Sequence, residues 1–216
     1  MSEQLHPKEI GIIGNGGQAN EAESYLKSDE TTVLFRALNK EYRDESDPSQ
    51  IDIMNPVDYQ KITPVVAAIG APALRKKMVE SWPGEKFVTI IADTSFIDRS
   101  TKVGEGSIIA PRAVITTDVE IGKHSIVNVA SSISHNCRLG DYSTISPGAH
   151  IGGNVDIGDG AFIGIGVIIS NNLKIASGVV VGAGAVVIED LAQENGVYVG
   201  VPAKLVGQNE SWLSEV

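Results

Sequence analysis

Seventeen consecutive positions spaced six residues apart, from Ile91 and Ile97 through to Val181 and Val187, are all Ile, Val or Leu. A helix would place apolar residues three and four apart, and a free-standing strand would alternate, so a strict period of six marks a repeat architecture. The rest of each hexapeptide says what kind. Four places after the aliphatic comes a small or medium residue, as at Ser107, Ala113, Ser125, Ser131, Cys137, Ser143 and Ala149. One place after it, Gly recurs at 104, 122, 140, 152, 158, 164 and 182. Small residues inside a narrow prism and glycines where the chain bends are what a tightly wound parallel β-helix needs. Three hexapeptides make one triangular coil, so residues 91–190 give a little over five coils, a prism about 25 Å tall at roughly 4.8 Å per layer. A repeat explains how apolar area is buried and leaves the chemistry to whatever decorates it.

Upstream of Ile91 the pattern changes. Glu9-Ile10-Gly11-Ile12-Ile13 reads as a buried strand, followed by a glycine-rich turn and a helix through Tyr25 and Leu26. A second strand runs from Thr32 to Leu38, and the polar stretch 39–50 reads as an exposed loop. Val65 to Ile69 is a third strand, and Pro72 opens a helix carrying Arg75, Lys76 and Lys77. Strands alternating with helices imply a small parallel sheet of Rossmann type over residues 1–90. The expected fold class is therefore an α/β Rossmann-like N-terminal domain plus an all-β domain, a parallel β-helix over 91–190, with 191–216 as cap and tail.

With 216 residues, 42% of them hydrophobic, the chain can furnish two modest cores. Its 17 Lys and Arg against 27 Asp and Glu leave a formal charge of −10, which argues against nucleic acid or an anionic membrane as partner. Cys137 is the single cysteine and falls at an inward hexapeptide place, so it reads as a packed thiol rather than a nucleophile. The first ten residues lack a charged-then-apolar signal pattern, and no apolar run reaches membrane-spanning length, so a cytoplasmic location is expected.

Gly14-Asn15-Gly16-Gly17-Gln18-Ala19 fits the G-x-G-x-x-(G/A) fingerprint between strand and helix, where bare backbone N–H groups can approach an anion. Gly14, Asn15, Gly16 and Gly17 are the expected contacts. Gly70-Ala71-Pro72 makes a second turn of the same kind, with Arg75 close behind to meet phosphate charge. Two such turns point to a nucleotide, while the absence of an acidic residue after Leu38 argues against ordinary NAD use. Among the four histidines, His6 lies in a polar leader, and His124 and His150 read as solvated corner residues. His135 sits near a corner of the prism within the run from Asn128 to Cys137.

That run, with Ile145-Ser146-Pro147-Gly148-Ala149, the closing Gly200-Val201-Pro202-Ala203-Lys204 and the order of α/β unit before prism, resembles the hexapeptide-repeat sialic acid O-acetyltransferase and bacillosamine N-acetyltransferase family. The resemblance extends from Gly14 to Lys204. It implies a left-handed prism, a homotrimer, acetyl-coenzyme A bound along the prism between subunits, and no metal. It also implies roles: His135 as general base, Gly153 offering its N–H to the thioester oxygen, and Asn128 beside the acceptor. Asn136 stands where many relatives carry Glu or Asp, and Thr144 where several place His or Asn near the cofactor sulfur. Thr144, Gly164, Gly182, Ala183 and Lys204 are the remaining expected cofactor contacts.

These roles suit direct acyl transfer. An amine attacking a thioester must shed a proton, an imidazole can take it, and a fixed N–H donor stabilises the oxygen that gains charge. The expected activity is N-acetylation of the 4-amine of a nucleotide-linked amino-dideoxy sugar, with UDP first and dTDP or GDP sugars, or sialic acid O-acetylation, as alternatives within the class. From other classes, a zinc hydratase would need a close histidine pair plus a distant third, which the spacing of 124, 135 and 150 does not supply. A catalytically silent binding module would bind nucleotide sugar without consuming acetyl-coenzyme A.

Overall fold

The computed structural model describes residues 7–26 and 30–210, so His6 lies outside the described residues. From Ile90 to Val187 the chain forms seventeen two-residue strands, one per hexapeptide, arranged in three parallel sheets. Each strand pairs with the one 18 residues away: Ile109 with Val127, Val127 with Ile145, Ile145 with Ile163, Ile163 with Val181. The second residue of each strand points inward, and with the small residues at Ala113, Cys137, Ala149 and Ala161 these side chains fill one continuous core. The corners bend through single residues with φ between 52° and 72°, among them Arg112, His124, Asn136, Tyr142 and Asn154, with Gly at 106, 148, 166 and 184. The glycines one place after the aliphatic serve a different end. A Cβ on Gly104 would lie 2.6 Å from the Gly122 carbonyl carbon, so these positions are bare because the next coil stacks on them.

The first residue of each strand faces outward, and the three faces differ. One carries Lys102, Glu120, Arg138, Asp156 and Lys174 in successive layers, with Lys102–Glu120 paired at 2.7 Å and Arg138–Asp156 at 3.3 Å. A second presents Phe96, Val114, Ser132, His150, Ile168 and Val186. On the third, Ile90, Ile108 and Ile126 are buried beneath Ile12, Ala19, Ala22, Val66 and Ala68 of the N-terminal unit.

That unit contains β1 (Glu9–Ile13), α1 (Gly17–Ser24), β2 (Thr32–Leu38), β3 (Gln50–Asp52), α2 (Asp58–Ile62), β4 (Val65–Ala67) and α3 (Pro72–Ser81). Its four strands are all parallel in the order β3-β2-β1-β4. A short helical turn, Lys40–Tyr42, interrupts the expected 39–50 loop, and β3 and α2 fall in stretches too short to show a period. At the far end, Gly196–Val199 adds in parallel to Val180–Val181 and pairs antiparallel with Lys204–Gln208, covering the last coil with Tyr198 and Ala203. Among the described residues no helix is long and apolar enough to cross a membrane.

Ile145 is fully buried in the prism, so Ile145→Ala should cost about 2–5 kcal/mol in chemical denaturation. Lys102→Ala removes only an exposed, solvent-screened pair and should leave the denaturation midpoint essentially unchanged in the same measurement.

Candidate functional site

The corner between the apolar and charged faces holds His135, Asn136 and Gly153. Asn136 takes the left-handed turn position, φ 59°, which its short amide tolerates, and its N–H bonds Thr117 O at 3.0 Å in the coil before. Gly153 is one coil further on, beneath the exposed imidazole of His135. A Cβ there would lie 2.6 Å from His135 Cε1 and 2.7 Å from Nε2, so the ring occupies the space that any side chain at 153 would fill. His135 Nδ1 lies 2.9 Å from Asn136 Oδ1. With the amide oxygen as acceptor, Nδ1 carries the hydrogen and the Nε2 lone pair is free for a proton. The Gly153 N–H has no acceptor among the described residues, whereas the corresponding N–H groups of Lys123 and Asp141 donate to Asp141 and Asp159. The Gly153 backbone and the His135 ring thus stand side by side at this corner.

Asn128 lies at a different corner, between the buried and apolar faces. It is 7% exposed, accepts from the Val129 N–H at 2.8 Å, and donates from Nδ2 to Gln18 Oε1 at 3.2 Å. Gly164 and Gly182 stack at the same corner, bonded by Gly164 N–H to Val181 O and Gly182 N–H to Tyr198 O, with Ala183 exposed beside them. Gly148, Gly166 and Gly184 leave open space along this edge. A single chain therefore separates the residues expected to act together: Asn128 and the glycine edge flank one side of the apolar face, His135 and Gly153 the other.

The glycine-rich turn joins this edge from the α/β unit. Gly14 has φ 117°, while Gly16, Gly17 and Gly70 have nothing within 4 Å of a notional Cβ, leaving the backbone open to close approach. Asn15 is held by Arg36, whose Nη1 also reaches Asn20 Oδ1 at 2.8 Å and whose Nη2 pairs with Glu23. Sequence reasoning missed Arg36 and Gln18. A lone arginine inside the apolar strand Thr32–Leu38 and a polar residue opening α1 were the available signals.

Two expected contacts are corrected. Arg75 is wholly buried, its guanidinium donating to backbone carbonyls and to Thr144 Oγ1, so it presents nothing to a phosphate at the surface. Thr144, expected near the cofactor sulfur, lies on the face covered by the α/β unit, 2% exposed, with its hydroxyl donating to Gly70 O at 2.9 Å. Lys204 is exposed and paired with Glu189 at 2.6 Å. Cys137 packs inward with Sγ 3.0 Å from Gly152 O, and burial pushes its thiol above the ordinary range. His150 is exposed, with Nδ1 2.8 Å from Ser132 Oγ.

His124 is not the solvated residue the sequence suggests. It is 5% exposed, stacked on Tyr142 at 5.1 Å and edge-on to Phe87 at 4.6 Å, and its Nδ1 has no partner among the described residues. Desolvation, against some help from Glu105, pulls its pKa from 6.5 down to about 4. The fold thus favours the neutral ring, and between pH 6.5 and about 4 the unfolded chain takes up the proton first. Stability should be fully present above that window and fall as pH drops through it. His124→Asn, which keeps a residue tolerant of the left-handed turn, should flatten the fall in melting temperature over the same range.

No family model matches the chain, and no curated protein matches it. Solved structures do. GDP-perosamine N-acetyltransferase from Caulobacter crescentus, a histidine-to-alanine variant in complex with CoA and GDP-perosamine, is 27% identical, with a TM-score of 0.82 over 95% of this chain and 100% of that one. The acetyltransferase domain of PglB from Neisseria gonorrhoeae FA1090, in complex with acetyl coenzyme A, is 26% identical, with a TM-score of 0.81 over 93% and 100%. WeeI from Acinetobacter baumannii AYE is 27% identical, with a TM-score of 0.77 over 92% and 100%. The repeat, the three-sheet prism and this end-to-end likeness agree: the chain is similar over nearly its whole length to hexapeptide-repeat, left-handed β-helix sugar N-acetyltransferases, enzymes solved with CoA or acetyl-coenzyme A bound.

Proposed function

We propose that the chain moves acetyl from acetyl-coenzyme A to the 4-amine of a nucleotide-linked amino-dideoxy sugar, with His135 as general base. The observation that carries this reading is the imidazole seated over the bare Gly153 backbone, its Nδ1 tied to Asn136 and its Nε2 free. Residues 1–90 act as a Rossmann-like nucleotide-sugar-binding domain, 91–190 as the left-handed β-helix catalytic domain and 191–216 as a cap. The amine nitrogen attacks the thioester carbon and passes its proton to His135 Nε2. The carbonyl oxygen takes the negative charge against the Gly153 N–H. The C–S bond then breaks, and the proton on the imidazolium goes to the departing sulfur. No acyl-enzyme is needed, in keeping with the inward-facing Cys137.

The site is built between copies. Asn128 and His135 sit at opposite corners of one coil, and the face between them exposes Phe96 at 56% and Ile168 at 49%. One prism face is covered by the chain's own α/β unit and another carries alternating charge, so the apolar face is the one suited to a second copy. A threefold arrangement would set the His135 corner of one chain against the Asn128 edge of the next. The turns at Gly14 to Gly17 and at Gly70 would hold the nucleotide, and the edge of Gly164, Gly182 and Ala183, with Lys204, the coenzyme. UDP is the nucleotide suggested by the resemblance to bacillosamine transferases. GDP is the second reading, favoured by the GDP-perosamine complex of the Caulobacter relative.

Thiol release from acetyl-coenzyme A, measured with UDP-, dTDP- and GDP-linked amino sugars, tests this reading: turnover with one donor is expected, and consumption of none sinks it. His135→Ala should lower kcat by about 10²–10⁴; near-parental turnover would remove the assigned base. Gly153→Ala should retain the parental melting temperature, because an exposed ring can swing aside, yet lose most activity. Sedimentation should give three copies of the 22.8 kDa chain, and Ile168→Asp should yield single chains with little turnover.

A further inference from the structure

Among the described residues, Arg75 carries a charge that no carboxylate answers. It is 0% exposed, and its five N–H groups are shared among acceptors from three places. Nε donates to His124 O at 2.7 Å. Nη1 donates to Ile69 O and, at 3.1 Å, to Gly70 O. Nη2 donates to Tyr142 O at 2.5 Å, Ser143 O at 3.1 Å and Thr144 Oγ1 at 3.0 Å. The acceptors comprise two successive coils of the prism and the turn that follows β4. Burying an unpaired charge is costly, and the cost registers as a pKa brought down to about 9 by desolvation. A simple packing role would be met more cheaply by an aliphatic side chain.

The geometry converges on one peptide group. Gly70 O accepts from Arg75 and again from Thr144 Oγ1 at 2.9 Å, and the same Thr144 oxygen accepts from Arg75. The peptide that follows Gly70 is thereby held by a closed triangle of hydrogen bonds with Arg75 of α3 and Thr144 of the prism. A Cβ on Gly70 would meet nothing within 4 Å, so the turn leaves room for a ligand to approach its backbone. We propose that Arg75 and Thr144 are positioning residues: they fix the Gly70 turn on the prism and so set where the acceptor nucleotide lies relative to the catalytic corners. This rests on the nucleotide-sugar reading above and assigns a role to two residues that touch neither substrate.

Thr144→Val is the sensitive variant, because it keeps the shape and removes the hydroxyl that joins Gly70 to Arg75. The KM for the nucleotide amino sugar should rise about tenfold, the scale of one or two lost hydrogen bonds. The KM for acetyl-coenzyme A and kcat at saturating sugar should stay within about twofold, since the His135 corner is not part of the joint. Thr144→Ser should restore the parental KM, and Arg75→Lys, which cannot span three sets of acceptors, should repeat the Thr144→Val pattern if it folds. Parental KM values in Thr144→Val, or equal rises for both substrates, would overturn the proposal. If the parent protein consumes no acetyl-coenzyme A, the acetyltransferase reading falls by itself, and calorimetric titration with UDP and GDP decides this one. Weaker binding to Thr144→Val than to the parent supports it. Equal binding, or no binding to the parent, refutes it.

Discussion

Everything in the prism follows from stacking one 18-residue coil on the next. Each strand is only two residues long and could not persist alone, but between the end coils each pairs with a strand in the coil before and another in the coil after. The backbone ladder demands that nothing protrude where coils touch, hence bare glycines at 104, 122 and 140, and that the interior be uniform in cross-section, hence one branched aliphatic per hexapeptide. Rigidity at the corners is the by-product that function uses. His135 and Gly153 keep their spacing because two coils cannot shift relative to each other without breaking the ladder on all three faces.

The joint between the α/β unit and the prism is of a different kind. Its apolar part, Ile12, Val66 and Ala68 on Ile90, Ile108 and Ile126, is non-directional and tolerates small displacements. Its polar part does not. A guanidinium bound to carbonyls of two coils, beside an aromatic stack of Phe87, His124 and Tyr142, admits one orientation. Where two substrates must meet from separate platforms, that division of labour is apt: burial holds the platforms together, and hydrogen bonds aim them.

The prism was legible because its period is strict and each repeat is a unit of packing, so Ile91 to Val187 can be read without knowing any contact. Strands β1 and β2 were legible for a like reason, being apolar runs bounded by turn residues. Three-residue β3 and five-residue α2 carry no period, and they escaped. The pairing of His135 with Gly153 follows from the coil length once it is known, since the two are 18 apart. Arg75 was beyond reach: in sequence it begins a basic run with Lys76 and Lys77, and its acceptors arrive from 49 and 67 residues downstream. Thr144 misled for the mirror reason, because the family pattern gives a position in the coil while burial of its face depends on which surface the α/β unit covers.

The charged face has a consequence for how such a chain can change length. Lys102, Glu120, Arg138, Asp156 and Lys174 alternate in sign from layer to layer, so losing or duplicating a single layer would bring like charges into register, while adding or removing layers two at a time would leave every neighbour opposite. The column thus favours changes of length by even steps, though only weakly, because its pairs are exposed to solvent.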